Sequence, residues 1–445
     1  MASTWTTEQV LALAPDPASA KAGQGLASPR KWVTLGQDDK SAWGECQGSA
    51  KLPYQASIDL SEPAFKCTCP SRKFPCKHSL GLFLILAGQP AAVKTSAAPA
   101  WVGEWLSGRS QRAEKKAAKA ERGPAPVDPV AQQKRAAERE ATVASGLKDL
   151  DLWLRDIVRQ GLASVQTRPE RFWETTAARM VDAQAPGVAR LVRQMSGIPA
   201  TGKEWPDRLL GALGRLHLLR EGFSRIDTLP TPVQADVRAT IGWTKKQEEL
   251  FGEKSGRDTW LIVGQRVEEE DRLRAQRAWL VGRDSGRAAL LLSFSHLSQP
   301  RDASLVTGTT FEADLVFYPG AFPLRAVVKE RHGTPGRVAG FKGYGNFTEA
   351  YAAYATALGA NPWLERFPMA LENVLPAPSG QSWILRDQSG NALPLVPRLE
   401  CSWELLALGG GNSMTVFGEW DGEYLLPLSV WAEERFWAFN QSQNV

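Results

Sequence analysis

The first residues of the chain carry two helix-start signals in quick succession. Thr6 precedes Gln9 at the spacing of a capping box, and apolar residues follow from Val10. Asp16 is followed by Pro17, and this pair suits a helix start because Asp caps a helix and Pro fits its first position. The pattern therefore predicts two short N-terminal helices.

Two stretches after these helices alternate apolar and polar residues, at Trp32–Gly36 and Tyr54–Leu60. Alternation of this kind predicts strands, here of a small antiparallel sheet. Ser79–Ala87 is an almost continuous apolar run and suits a buried helix. We therefore predict that residues 1–90 form one small domain of short helices, a small sheet and a closing helix.

The composition changes after Gly88. Residues 91–144 alternate Ala-Pro segments with charged runs, which predicts a flexible linker that is partly disordered and partly a solvated helix. Its basic residues would either contact phosphate or only solvate a helix face. Residues 145–252 instead repeat apolar positions near a period of 3.6, beginning with Leu147, Leu150 and Leu154, and predict a helical bundle.

Short alternating runs separated by turns begin near Asp258, and they predict a β-rich mixed domain over residues 253–445. Tyr344–Leu358 is predicted as an alanine-rich helix within it. Trp403–Leu408 is predicted as a strand, and the glycines at 409–411 as a hairpin turn. No strict internal repeat is visible. The predicted fold class is α+β, with a small N-terminal domain, linker, helical bundle and β-rich region in that order.

The most specific chemical signal is a cluster of scarce residues near position 70. The chain has five cysteines and four histidines, and three of those cysteines and one histidine lie close together as Cys67, Cys69, Cys76 and His78. In an extended C-x-C segment both sulfurs point to the same side, and the following loop can return Cys76 and His78 to them. Three cysteines and one histidine are a common structural zinc set, so the sequence predicts a zinc site.

The cluster has three other possible interpretations. The thiols could be free, without metal. A disulfide is disfavoured because three cysteines cannot all pair and a C-x-C bridge is strained. A catalytic Cys-His pair would leave Cys67 and Cys69 without a role. Because four protein ligands leave no open coordination position, we expect the zinc to be structural and not catalytic.

The spacing C-x-C, six residues, C-x-H resembles the SWIM-type zinc finger of bacterial proteins, with the four residues above on its ligand positions. The segments Trp43–Ser49 and Pro53–Leu60 look like the strand region of such proteins, so that the resemblance covers about residues 30–90. It implies a module that binds nucleic acid or protein. It also implies, as partners, MoxR-type AAA+ ATPases and von Willebrand A-domain proteins.

Four cations surround the predicted ligands: Lys66, Arg72, Lys73 and Lys77. One hypothesis is that they contact nucleic-acid phosphates. The alternative is that they only offset the negative charge of a zinc ion held by three thiolates. The second functional hypothesis is an adaptor or scaffold, which would bind a protein partner instead.

The remaining composition excludes little. A net charge of +5 is mild for 445 residues, so any basic surface must be local. Few cysteines, a thiolate metal site and no recognisable signal peptide favour a reducing cytoplasm, and no apolar run is long enough to span a bilayer. No catalytic motif or small-molecule site is evident, so we expect no enzyme. His217 is predicted to be structural and His332 to be an exposed loop residue.

Overall fold

The structure, a computed structural model, describes residues 5–48, 52–121, 129–270, 273–296, 302–439 and 441–444. Both predicted N-terminal helix starts are confirmed. Thr6 and Gln9 cap α1 reciprocally, and the Asp16 side chain accepts a hydrogen bond from the Ser19 N–H at the start of α2. Within the described residues, no helix combines the length and the apolar character that crossing a bilayer requires.

The N-terminal domain is a five-stranded sheet covered by helices. Its strand order is β4-β3-β2-β1-β5, with antiparallel pairs except for the parallel pair β1–β5. The predicted closing helix is confirmed as α3, whose apolar residues from Leu80 to Leu86 are buried. The elements are α1 (Thr7–Ala12), α2 (Pro17–Gln24), β1 (Trp32–Gln37), β2 (Ser41–Cys46), β3 (Tyr54–Asp59), β4 (Ala64–Cys67), α3 (Lys77–Gly88) and β5 (Lys94–Thr95).

The predicted linker contains two long helices, α4 (Ala100–Glu121) and α5 (Pro129–Gln160), while residues 122–128 lie outside the described part. Arg109 of α4 binds the carboxylates of Asp59 and Glu62 at 3.1 and 3.4 Å, which ties this helix to the N-terminal domain. Helix α5 runs through the boundary we predicted at 144/145. Val143 is fully buried in the bundle core, so the bundle extends further towards the N-terminus than residue 145.

The predicted helical bundle is present. Its core is formed by the apolar stripe of α5 together with residues such as Trp173, Val188 and Leu209. His217, predicted to be structural, lies on the exposed face of α8, and its Nδ1 is 3.1 Å from Asp151 Oδ1. The remaining helices of this region are α6 (Glu170–Asp182), α7 (Pro186–Met195), α8 (Trp205–Ser224), α9 (Thr231–Ile241) and α10 (Gln247–Leu250).

The first half of the β-rich region is a five-stranded barrel. Strand β6 pairs with both β7 and β9, and β8 closes the barrel by pairing in parallel with β10. The order around the barrel is therefore β6-β7-β8-β10-β9, and its interior is filled by residues such as Trp260, Leu280 and Leu315. The strands are β6 (Gly256–Glu270), β7 (Leu273–Gly282), β8 (Ala288–His296), β9 (Thr309–Phe317) and β10 (Arg325–Arg337).

The second half repeats this arrangement. Strand β11 pairs with β12 and β14, β12 with β13, and β14 with β15. A parallel bridge between Leu395 and Leu425 completes the ring. The elements are α11 (Phe347–Ala360), β11 (Phe367–Ser379), β12 (Ser382–Arg386), β13 (Ala392–Pro394), α12 (Ser402–Gly409), β14 (Met414–Trp420), β15 (Leu425–Ala432), β16 (Arg435–Ala438) and β17 (Gln441–Asn444), of which β17 pairs with β6.

Three local predictions in this region were wrong. Trp403–Leu408 is helical, because a short apolar run without clear alternation does not distinguish strand from helix. The glycines at 409–411 end that helix, with Gly410 in the left-handed region, and do not form a hairpin turn. His332 lies in strand β10 and not in a loop.

The N-terminal domain and the two barrels are packed together. The Gln9 side chain donates to the Gly308 carbonyl oxygen at 2.7 Å, and Glu62 pairs with Arg331 at 3.6 Å. Between the barrels, the indole N–H of Trp279 donates to Glu419 at 2.8 Å. A Cβ atom at Gly264 would lie 2.8 Å from the Phe417 ring, so this contact requires glycine.

Candidate metal centre

The four predicted ligands come from the end of one strand, a loop and the start of one helix. Cys67 is the last residue of β4, and Cys69 follows two positions later. Cys76 is the N-cap of α3, and His78 lies in its first turn. Pairing of β4 with β3 fixes Cys67, whereas the buried apolar face of α3 fixes Cys76 and His78. The local sequence therefore determines where each ligand atom lies.

The donor atoms are spaced as a tetrahedral metal requires. One ligand atom from each of the four residues lies within 4.8 Å of all the others. The Cys67 Sγ to His78 Nδ1 distance is 3.8 Å. A tetrahedral zinc with ordinary Zn–S and Zn–N bond lengths would place these two atoms about 3.6 Å apart. The residues present therefore fit a zinc ion, with His78 binding through Nδ1.

Cys76 is in the environment of a thiolate. The Cys67 thiol donates to its sulfur, and His78 and Ser79 also face it, so the pKa of the Cys76 thiol is lowered although burial opposes this. The Ser79 backbone N–H lies 3.5 Å from the sulfur, at the positive end of α3. Zinc binds the deprotonated thiol, so this helix start favours the ligand state.

Aromatic side chains hold residues 65–78, which we call the metal loop, against the domain core. Phe65 makes edge contacts with Phe74 of the loop and with Phe83 of α3, at centroid distances of 6.0 and 5.7 Å. The His78 ring lies 5.0 Å from that of Tyr54. The side chains next to the ligands are thus part of the hydrophobic core, and the loop is attached to it at both ends.

All four predicted cations lie on the surface around this centre, and the structure does not bury any of them. Lys73 pairs with Asp16 of the N-terminal helices at 2.9 Å. Among the residues that the structure describes, Lys66, Arg72 and Lys77 have no carboxylate within 4.0 Å. The metal loop therefore presents three cations that are not neutralised by a described neighbour.

Two segments of the chain match protein-family models, and one of them covers this centre. Residues 65–87 match the SWIM zinc finger. The chain carries a SWIM zinc finger. Residues 138–241 match the SWIM-associated four-helix bundle domain, which covers part of α5 and continues to the end of α9. No curated protein and no solved structure matches the chain.

The two matches agree with the fold and with zinc binding by the SWIM finger. The finger match contains all four predicted ligands, and the cluster geometry is consistent with zinc. The bundle match begins at residue 138, seven positions before the boundary we predicted, in agreement with the buried position of Val143. The two matched segments follow each other along the chain, the finger first and the bundle second.

A second group of ligand-type side chains was not predicted from the sequence. Asp314, Glu330 and His332 lie together on β9 and β10, and His332 Nε2 is 2.7 Å from Asp314 Oδ2. Glu330 and His332 are two positions apart on β10, and Asp314 joins them only because β9 pairs with β10. Arg257 lies opposite Asp314 on β6, so the group is part of a ladder of surface charges. No spacing in the sequence could have revealed it.

Proposed function

We propose that the SWIM finger binds the phosphates of a nucleic acid through Lys66, Arg72, Lys73 and Lys77, with zinc in a structural role. The observation that carries the proposal is the set of exposed cations around a centre with four protein ligands. Zinc bound by four protein side chains has no open position for substrate or water, which supports a binding function over catalysis.

The number of cations favours phosphate binding over simple charge compensation. A zinc ion with three thiolates and one neutral histidine carries a single net negative charge. Lys73 is already paired with Asp16, yet Lys66, Arg72 and Lys77 remain. Three cations exceed what the metal centre needs, and the surplus positive charge suits a polyanion.

The docking of the finger on the first barrel restricts how a partner can approach. Contacts such as Gln9–Gly308 and Glu62–Arg331 hold the finger by the side of its N-terminal helices and its β3–β4 turn. The finger therefore acts as part of a larger body and not as a module on a flexible tether. A protein partner, including an AAA+ ATPase or a von Willebrand A-domain protein, is the competing proposal.

The experiment compares the wild type with Lys66→Gln/Arg72→Gln by fluorescence anisotropy at several salt concentrations. The logarithm of the affinity falls linearly with the logarithm of the salt concentration, and each lost phosphate contact should make this slope less steep by about 0.7–0.9. The slope of the double variant should therefore be less steep than that of the wild type by roughly 1.5. Zinc content must stay at one ion per chain in both proteins.

Lys94→Gln is the matched control. Lys94 is exposed in β5, at the sheet edge opposite β4, and its loss should leave the slope unchanged apart from a small general charge effect. Equal slopes for the wild type and the double variant would contradict the proposal. The adaptor role would be supported instead if the wild type had no affinity for nucleic acid but recovered a defined protein partner that the double variant no longer binds.

A further inference from the structure

The two barrels share one topology. If the strands of each are numbered one to five along the chain, both rings follow the order 1-2-3-5-4, with strands 3 and 5 parallel. In each, strand 1 pairs with strands 2 and 4 and contains an irregular register, between Ile262 and Gly264 in β6 and between Leu371 and Val374 in β11. This is the topology of the OB fold, whose ligands lie across the outer face of strands 2 and 3.

In the first barrel, strands 2 and 3 are β7 and β8. Cross-strand partners share a face, and Ala278 and Leu291 of these strands point into the barrel. The outward row consists of the pairs Val281–Ala288, Trp279–Leu290, Arg277–Leu292, Ala275–Phe294 and Leu273–His296. The second barrel covers the Trp279–Leu290 end of the row.

The other end of the row is exposed to solvent. Phe294 is 61% exposed and Leu273 is 56% exposed. Arg277 is 25% exposed beside them and pairs with Glu268 at 3.3 Å. An exposed aromatic ring flanked by an aliphatic side chain on this face of an OB barrel is a surface on which a base can stack.

The SWIM finger lies against the opposite side of β6 and β7. Pro75 of the metal loop and Leu13 line one cavity with Gln276 and Val267, which are on the inner side of the β6–β7 hairpin. Gln276 is adjacent in β7 to Ala275, the cross-strand partner of Phe294. The metal loop and the exposed row are therefore at the same end of the barrel, separated by one layer of sheet.

We propose that the outward face of β7 and β8 binds single-stranded nucleic acid, with a base stacked on Phe294 and the backbone passing round the sheet to the cations of the metal loop on its other side. The contribution of the metal loop rests on the function proposed above, whereas the stacking on Phe294 does not. A single strand is favoured over a duplex because stacking on a protein side chain needs an unpaired base. The metal-loop cations at the same end of the barrel favour a nucleic acid over the uncharged oligosaccharides that OB barrels also bind.

The test is the affinity of the full chain for a thymidine oligonucleotide of about 20 nucleotides, longer than the roughly 4–16 nucleotides that one OB barrel covers. Phe294→Ala should weaken binding by about 5- to 150-fold, the usual loss for one stacked base. Phe294→Trp should restore it. Leu210→Ala, at a 52% exposed apolar position on α8, is the matched control and should not change the affinity.

The outcomes separate the two binding sites. If Phe294→Ala loses affinity while Lys66→Gln/Arg72→Gln does not, the barrel face is supported and the finger proposal fails. If only the finger variant loses affinity, the barrel face is overturned. The barrel-face proposal is also overturned if the wild type does not bind the single strand. It is overturned as well if the wild type binds the corresponding duplex equally well and Phe294→Ala has no effect. A third contrary result would be that Phe294→Ala loses a protein partner while its affinity for the oligonucleotide is unchanged.

Discussion

The buried carboxyl group of Asp236 should make stability depend on pH in a defined window. It lies in α9 where the bundle meets the barrels, is 7% exposed, and accepts hydrogen bonds from the Ala321 N–H at 2.7 Å and from the Asn361 side chain at 3.2 Å. Burial raises the pKa of Asp236 to about 6, and the Ala321 hydrogen bond only partly opposes this. The folded protein therefore favours the neutral carboxyl group.

Because the pKa of Asp236 is raised in the folded protein, the contribution of this group to stability decreases as pH rises. The folded protein binds a proton more tightly at Asp236 than the unfolded chain does, so the stabilising contribution is complete below the ordinary pKa of 3.8 and is lost as pH rises through about 6. With these two pKa values, linkage lowers the unfolding free energy, relative to its value at low pH, by roughly 1 kcal/mol at pH 4.5 and by roughly 3 kcal/mol at pH 7. The free energy of unfolding should thus fall by about 2 kcal/mol between these pH values because of this one group.

Asp236→Asn keeps a carbonyl oxygen for the Ala321 N–H and cannot ionise. The assay is urea unfolding followed by tryptophan fluorescence at several pH values from 4.5 to 7. The difference in unfolding free energy between the variant and the wild type should shift by about 2 kcal/mol in favour of the variant over this range. Asp227→Asn, at an exposed position in the same region, is the control. A difference between Asp236→Asn and wild type that stays constant with pH would refute the reasoning.

Two further predictions concern the metal centre and the contact between the barrels. Cys76→Ser should reduce the zinc content from one ion per chain to none and should unfold the finger. The reason is that binding of structural zinc supplies roughly 10–16 kcal/mol in small zinc peptides. Cys46→Ser is the control and should keep the metal, because Cys46 is a buried thiol outside the cluster. Metal analysis and circular dichroism would show this, and full zinc retention by Cys76→Ser would exclude it as a ligand. Gly264→Ala should lower the unfolding free energy by about 1–3 kcal/mol, because the new Cβ would overlap the Phe417 ring. Gly211→Ala in α8 is the control and should not destabilise the protein, because nothing lies within 4 Å of the new Cβ. Equal thermal midpoints for these two glycine variants would contradict the close contact.

The parts of the structure that the sequence predicted well depend on neighbours in the chain. The four ligands lie within a dozen positions, and their geometry needs only one strand end and one helix start. The capping residues Thr6 and Asp16 act over three positions. Such signals survive without knowledge of the rest of the fold, because the interacting groups are fixed by local backbone geometry.

The features that the sequence did not predict depend on distant pairing. The first barrel closes through two registered pairs of β8 and β10, and the second through one bridge between Leu395 and Leu425, so neither leaves a periodic pattern. The repeat of the barrel was missed for the same reason, since its two copies share strand order and not sequence. Phe294 appears in the sequence as one more apolar residue of a strand, and only the register places it on the exposed face.

The hydrogen bond between Gln9 and Gly308 joins residues 299 positions apart. During synthesis at about 5–20 residues per second, the N-terminal helices would leave the ribosome roughly 15 to 60 seconds before the barrel segment that covers them. The zinc ligands, by contrast, emerge together, so the metal can order the finger long before its docking surface exists. A fragment ending near residue 90 would keep the four zinc ligands but would expose the apolar residues that pack against Ala303 and Val306, so we expect it to aggregate more readily than the full chain.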